Sequence, residues 1–242
     1  LGDSRGNVVH LFERECSVQR RHQKVIEEAP ANRMTPDLRE RICAAAVAAA
    51  RAVGYEGVGT VEFLVDEKQA FYFLEMNTRV QVEHPVTELI TNVDIVKTGI
   101  RIAAGEPIGF SPGDLRIDGW AIECRICAED PDRGFLPSPG EIVAFEPPGG
   151  PGVRVDSGVS AGAKVTAFYD PMIAKLVCWG RDRDEAIERT RRALGELVVR
   201  GIKTTIPFHR RVLENRAFLS GRYDTSFISS ELPARAPPDA GG

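Results

Sequence analysis

Residues 106–119, dense in proline, glycine and aspartate, divide the 242-residue chain into two halves of different character. Pro107 and Pro112 each remove a backbone donor, and Gly109, Gly113 and Gly119 lift the side-chain restraint on the backbone. Neither a regular helix nor a central strand continues through such a segment. Before the break, one helix starts at Thr35-Pro36-Asp37, with Thr35 as N-cap and Pro36 in the first turn. Leu38, Ile42, Ala45, Ala46, Ala49 and Val53 form its apolar stripe, and Gly54 stops it. Strands are expected at 58–66 and 71–76, joined by a polar turn at Glu67-Lys68-Gln69, and a second helix from about Pro85 to Ala104. After the break come short strands at 120–128, 141–146, 163–168 and 172–179. A helix follows from about Asp184 to Val199, and a shorter one near Pro207 to Leu213. The expected architecture is α+β: one unit over 1–105, a linker at 106–118, a second unit over 119–230, and a flexible tail over 231–242.

The opening Leu1-Gly2-Asp3-Ser4-Arg5-Gly6-Asn7 reads as a strand end and a turn, with Val8 to Glu13 as the second strand of a hairpin. There is no initiator Met and no signal-peptide pattern, so the chain reads as a fragment that starts inside a structural element. Thirty-one Lys+Arg against 35 Asp+Glu leave a net charge of -4, without the basic excess of a nucleic-acid binder. The longest apolar runs, such as Ala44 to Ala50, are far short of the roughly 20 residues a bilayer requires. A soluble protein is expected, with no membrane partner. Five cysteines without a secretory signal suggest reduced thiols. Cys124 and Cys127 form a C-x-x-C pair, but positions three apart in a strand face opposite sides, and no second Cys or His pair follows at metal spacing. Two small buried apolar residues are the better reading.

The segment Glu75, Asn77, Arg79, Gln81, Glu83 places a polar side chain at every second position, on one face if the chain is extended. With the turn at 67–70, Glu62 on the preceding strand stands opposite Glu75. Two carboxylates so placed repel. A divalent cation relieves that repulsion, and the oxygen set of Glu62, Glu75 and Asn77 suits Mg²⁺ or Mn²⁺. Arg79 offers a planar fork to an oxyanion, and Glu83 is a candidate base. The plainer alternative is a solvated strand face, although Glu, Asn, Arg, Gln and Glu without Lys or Ser is an unusual composition for solvation alone. For Arg20 to Lys24 the plainer alternative is a surface basic patch balanced by its acidic neighbours.

The run Glu75-Met76-Asn77-Thr78-Arg79-Val80-Gln81-Val82-Glu83-His84-Pro85-Val86-Thr87-Glu88 closely resembles biotin carboxylase, as does Arg20-Arg21-His22-Gln23-Lys24-Val25-Ile26-Glu27-Glu28-Ala29-Pro30. This is the ATP-grasp component of acetyl-CoA, propionyl-CoA, methylcrotonyl-CoA and pyruvate carboxylases, including those of fatty acid metabolism. Glu123-Cys124-Arg125-Ile126-Cys127, Phe135-Leu136-Pro137-Ser138-Pro139-Gly140 and Tyr169-Asp170-Pro171-Met172-Ile173-Ala174-Lys175 resemble the family's C-terminal domain. The resemblance covers about residues 1–228. It implies the C-terminal half of an ATP-grasp domain followed by a biotin-carboxylase C-terminal domain, mainly antiparallel sheet with helices.

By position, the resemblance implies that Glu62, Glu75 and Asn77 hold the Mg²⁺ or Mn²⁺ that bridges the ATP phosphates. It makes Lys24, Arg79, Gln81 and the Val82 backbone the bicarbonate-binding groups, and Glu83 the base that deprotonates bicarbonate for attack on the γ-phosphate, giving carboxyphosphate. Arg125 is implied to stabilise the biotin enolate. Gln19 and His22 fall near the nucleotide, with Glu62 and Glu75 among the ATP-binding residues. Strand alternation independently places Glu123 and Arg125 on one face, away from Ile122, Cys124 and Ile126.

The family's N-terminal domain and its glycine-rich lid over ATP are not in this sequence, so the isolated chain is expected to be inactive. None of the three Met residues precedes a Lys, so the biotin-bearing Met-Lys segment is missing. Biotin is therefore expected on a separate carrier protein or domain, which works beside a carboxyltransferase subunit. The resemblance also implies a homodimer, and Pro151 stands where the family often has an aromatic residue in a loop linked to dimerisation. The expected compartment is the cytoplasm, or the mitochondrial matrix in a eukaryote. Two other readings compete: an ATP-grasp ligase without biotin, which Arg125 and Phe135 to Gly140 oppose, and a non-catalytic remnant or assembly module, which the intact site residues oppose.

Overall fold

The computed structural model describes residues 1–232. The chain forms two compact units: Leu1–Glu15 with Ala29–Asp118, and Cys16–Glu28 with Gly119 onward. The segment Cys16–Glu28 thus belongs with the later part of the chain, and 106–118 packs with the first unit, which differs from the sequential division at 105 and 118. The tail expected from residue 231 lies outside the described residues from 233 onward, while Glu231 closes a helix.

In the first unit, α1 (Pro36–Ala52) starts where Thr35 predicts: the Thr35 side chain accepts from the Leu38 N–H. Leu38, Ile42, Cys43 and Ala50 form its buried stripe. β3 (Thr60–Val65) and β4 (Phe71–Asn77) pair antiparallel, and Asp66 caps the turn by accepting from the backbone of Lys68 and Ala70. The helix expected over 85–104 is two helices, α2 (His84–Thr91) and α3 (Ile95–Ala103). Asn92, left-handed at φ 55, ends the first, and Asp94 accepts from the Lys97 N–H to start the second. The expected N-terminal hairpin is a single bridge, Gly2 to Val8, around a turn held by the Asp3 carboxylate. Phe12 at φ 63 ends the extended backbone, and Val9, bonded to Leu1 through its N–H and its carbonyl, is buried with Ile102 and Ile108.

In the second unit, β1 (Glu15–Arg20) and β2 (Gln23–Ala29) form a hairpin whose turn residues Arg21 and His22 both have positive φ, the twist tight hairpins favour. It edges a five-stranded sheet, continued by β5 (Trp120–Cys127) and closed by two later strands. Short strands follow: β6 (Glu129–Asp130) with β7 (Leu136–Pro137), then β8 (Gly140–Glu141) and β9 (Ala144–Glu146). β10 (Val153–Ser157), unexpected from the sequence, is the far edge strand, β11 (Lys164–Val165) pairs with β8, and β12 (Met172–Gly180) lies between β5 and β10. The helix expected to reach Val199 is α4 (Arg183–Glu196); the chain turns extended at β13 (Val198–Arg200), which pairs with β9. α5 (Ile206–Glu214), α6 (Arg216–Leu219) and α7 (Phe227–Glu231) complete the unit. The sheet's apolar face, Ile122, Cys124, Ile126, Leu176 and Cys178, packs with Ala186, Ile187, Ala193 and Leu194 of α4 in one core. The opposite face carries charge. No helix of the described residues is long and apolar enough to cross a membrane.

Candidate functional site

In the first unit Glu62 stands directly opposite Glu75, as expected, but through a register shift between Glu62 and Phe63 that offsets a turn one residue longer than the expected 67–70. The polar alternation expected to run to Glu83 on one extended face ends at Asn77, where β4 ends. The chain then bends, and hydrogen bonds rather than strand geometry gather the next groups. Asn77 Nδ2 donates to Glu62 Oε1 at 3.1 Å and to Glu75 Oε1 at 3.0 Å. Gln81 Nε2 donates to the same Glu62 oxygen at 2.7 Å, and Gln81 is buried. Arg79 stays exposed, with Nη2 donating to Asn77 Oδ1 at 3.3 Å and Nη1 to the Val80 carbonyl at 3.1 Å.

Two facing carboxylates sharing one amide donor form a place for positive charge, with the Asn77 amide standing where a cation would. The donor set is oxygen without thiolate, which fits Mg²⁺ or Mn²⁺. Among the described residues no group of three or more His, Cys, Asp or Glu is arranged around a metal. Asn77 turns Nδ2 to the carboxylates and Oδ1 to Arg79, so in this arrangement it is the two carboxylates that would hold an ion completing its shell from water and phosphate. Val82 and Glu83 form the turn into α2; Glu83 is its N-cap residue, 2 % exposed.

Sequence reasoning missed Arg14, one of 31 basic side chains with nothing in its spacing to mark it. Its Nη2 donates to Gln81 Oε1 at 2.6 Å and to Thr60 Oγ1 at 3.0 Å, and its Nη1 to Thr87 Oγ1 at 3.0 Å. One guanidinium thus ties β3, the 78–83 segment and α2 together.

In the second unit Lys24 and Glu27 lie on β2, His22 is exposed at the hairpin turn, and Gln19 Nε2 donates to the Cys16 carbonyl at 2.8 Å. Arg125 on β5 gives two donors to Glu27 Oε1, at 2.6 Å from Nε and 2.5 Å from Nη2. Beside it across the sheet is Lys175, whose Nζ lies 3.4 Å from Asp156 on β10. A row of alternating partners, Glu27 with Arg125 and Lys175 with Asp156, therefore crosses the charged face. Glu27 and Glu28 are both buried, not the surface counter-charges their sequence position suggests. Glu28 accepts from Trp120 Nε1, twice from Arg183, and from the Tyr223 hydroxyl. The Arg125 carbonyl also receives Thr205 Oγ1 at 3.1 Å and His209 Nε2 at 2.7 Å.

All five cysteines are free, and Cys124 is wholly buried. Burial raises the Cys124 thiol well above its ordinary range and pushes Cys127 up to about 12, which is the behaviour of inert apolar residues rather than of a redox pair.

Residues 1–110 match the family of the carbamoyl-phosphate synthase L chain ATP binding domain, and residues 123–230 match the biotin carboxylase C-terminal domain. One pyruvate carboxylase subunit from Methanothermobacter thermautotrophicus is 58% identical over 228 residues, which cover 94% of this chain and 46% of that protein. Biotin carboxylase 1 of Bacillus subtilis is 52% identical over 231 residues, 95% of this chain and 51% of that protein. The chain thus spans about half the length of the curated relatives it matches. Among solved structures, the biotin carboxylase domain dimer of Hydrogenobacter thermophilus 2-oxoglutarate carboxylase, in complex with MgADP, ADP and bicarbonate, aligns with a TM-score of 0.93 at 50% identity, covering 95% of this chain and 51% of that one. A biotin carboxylase–beta-gamma-ATP complex from Campylobacter jejuni aligns with a TM-score of 0.92 at 49% identity, again over 95% of this chain and 51% of that one.

Proposed function

The chain belongs to the biotin carboxylase family, and from that premise we propose that the protein carboxylates biotin with bicarbonate and ATP, through carboxyphosphate. The observation that carries the reading is the pair Glu62 and Glu75, opposed in register and bridged by the Asn77 amide. Two carboxylates held face to face are costly unless a cation comes between them. A divalent ion bound there supplies charge neutralisation to the transferring phosphoryl group.

The chain's own residues do the rest. Arg79, exposed and planar, receives the bicarbonate oxyanion with Lys24, the Gln81 amide and the Val82 backbone. Glu83, 2 % exposed, takes the bicarbonate proton, so that the freed oxygen attacks the γ-phosphate and ADP leaves. Phosphate then leaves carboxyphosphate and takes up the ureido N–H proton of biotin, and Arg125 stabilises the resulting negative charge on the ureido oxygen while the nitrogen bonds to the released CO₂. Its two hydrogen bonds to Glu27 Oε1 hold the guanidinium in place for that task. Gln19 and His22 belong to the nucleotide side. A biotin-bearing carrier and a carboxyltransferase are the partners, a second copy of the chain is a further one, and a reducing compartment suits the five free thiols.

The test uses the complete natural protein with MgATP, bicarbonate and free biotin. ADP release is expected to require bicarbonate, and carboxybiotin to form. Glu75→Gln is expected to cut the rate at least about a hundredfold and to raise the Mg²⁺ needed for half-maximal rate. An unchanged rate and Mg²⁺ dependence in that variant would remove the metal assignment.

A further inference from the structure

We propose that Arg14 is a positioning residue that sets the sense of the Gln81 amide, so that Gln81 offers an N–H and not a carbonyl oxygen to bicarbonate. The inference rests on the reading of Gln81 as a bicarbonate-binding group. A glutamine amide has two ends of nearly equal size and opposite polarity, and only its neighbours decide which end points where. Arg14 Nη2 lies 2.6 Å from Gln81 Oε1, and an arginine can only donate, so the oxygen must face it. Glu62 Oε1 lies 2.7 Å from Gln81 Nε2 and can only accept when ionised, so the nitrogen must face it. The reversed amide would set donor against donor at Arg14 and acceptor against acceptor at Glu62.

Two contacts of opposite polarity fix both the position and the sense of the amide, whereas one contact leaves it free to rotate about its last torsion. With Nε2 giving one hydrogen to Glu62, the second N–H is left for an anion. A carbonyl oxygen in that place would repel bicarbonate. Glu62 Oε1 also accepts from Asn77, so a single chain of hydrogen bonds runs from Arg14 through Gln81 and Glu62 to Asn77. The other bonds of Arg14, to Thr60 and Thr87, anchor the guanidinium on β3 and α2. They make it a rigid post rather than a mobile surface charge.

The experiment measures bicarbonate-dependent ADP release by the complete natural protein, with separate KM values for bicarbonate and ATP. Arg14→Met is expected to raise the bicarbonate KM about tenfold or more, the worth of a hydrogen bond to a charged group, and to leave the ATP KM within about twofold. Arg14→Lys, which keeps a donor on a flexible stem, should recover part of the loss. In a Gln81→Met background, Arg14→Met should add nothing to the bicarbonate KM, because a residue that acts through Gln81 has nothing left to position. Thr91→Val, which removes a hydrogen bond to the Thr87 carbonyl within α2 and none of the bonds of Arg14, serves as the control for loosening: it should lower Tm and leave the bicarbonate KM unchanged.

Fully additive losses in the double variant, equal rises in both KM values, or a bicarbonate KM raised as much by the threonine control would each overturn the inference. If wild type shows no bicarbonate-dependent ADP release, or Gln81→Met leaves the bicarbonate KM unchanged, the reading of the site fails and the inference falls with it. If Gln81→Met raises that KM and Arg14→Met does not, the inference alone is wrong.

Discussion

His209, wholly buried on α5, spends its Nε2–H on the Arg125 carbonyl, and its Nδ1 meets no partner among the described residues. A second proton would sit on Nδ1 in an apolar setting, and burial lowers the pKa from 6.5 to about 4. The unfolded chain therefore takes up a proton between pH 6.5 and about 4 that the folded chain refuses, so stability is intact above 6.5 and drains away as pH falls through that window. The full difference corresponds to roughly 3 kcal/mol. Urea midpoints at pH 7, 5.5 and 4 should fall less steeply for His209→Gln than for wild type, and parallel curves would refute the assignment. At the same scale, Arg125 and Glu83 should separate the two half-reactions. In the complete protein, Arg125→Ala is expected to keep slow bicarbonate-dependent ATP cleavage while losing carboxybiotin. Glu83→Ala should lose both, since carboxyphosphate does not form without its base. ADP and carboxybiotin assayed side by side decide the point; total loss of ATP cleavage in Arg125→Ala would move Arg125 to the nucleotide or bicarbonate groups.

At the scale of elements, the local signals that named an element without help were caps and turns. Thr35-Pro36 started α1 and the Asp66 turn joined β3 to β4, because each is a side-chain-to-backbone bond between near neighbours. The break between α2 and α3 was equally local: Asn92 and Asp94 are a helix end and a helix start in three residues, overridden in the sequence reading by the apolar period on either side. β10 gave little to read, since five residues flanked by Gly150, Pro151 and Gly152 look like loop until a neighbouring strand pairs with them. Packing between β12 and α4 is tight at Gly180, where an added Cβ would stand 2.4 Å from the Ala186 nitrogen. Gly180→Ala is expected to cost about 1–3 kcal/mol and roughly 5 °C in Tm. Wild-type Tm in that variant would mean that the helix can shift away from the strand at no cost.

At the scale of the molecule, chain order and spatial order disagree: the hairpin of β1 and β2 leaves the first unit to edge the sheet of the second. Lys24 and Glu27 thereby join Arg125 in one unit, while Glu62, Glu75, Asn77, Arg79, Gln81 and Glu83 stay in the other. The proposed chemistry draws on both sets, so neither unit alone is expected to be active. The chain spans about half the length of its relatives, and the purified 242 residues should release no ADP in response to bicarbonate while the complete protein does. Bicarbonate-dependent turnover by the 242-residue chain would show that the phosphate-binding groups it needs are already present.

The sequence by itself determined the family, the α+β class, the main helices and the β3–β4 hairpin. Motif order, apolar period and turn length are all written within short stretches of chain. Only the tertiary structure decided that the polar alternation stops at Asn77 and that Gln81 is buried among Arg14, Glu62 and the groups they hold. It alone assigned the buried Glu27 and Glu28 to half-buried arginines on β5 and α4. Arg14 and Gln81 are 67 residues apart, Glu27 and Arg125 98, and Glu28 and Arg183 155. A partner at that separation leaves no periodic trace in sequence, because which side chain meets a buried charge depends on how the sheet closes and not on any local spacing.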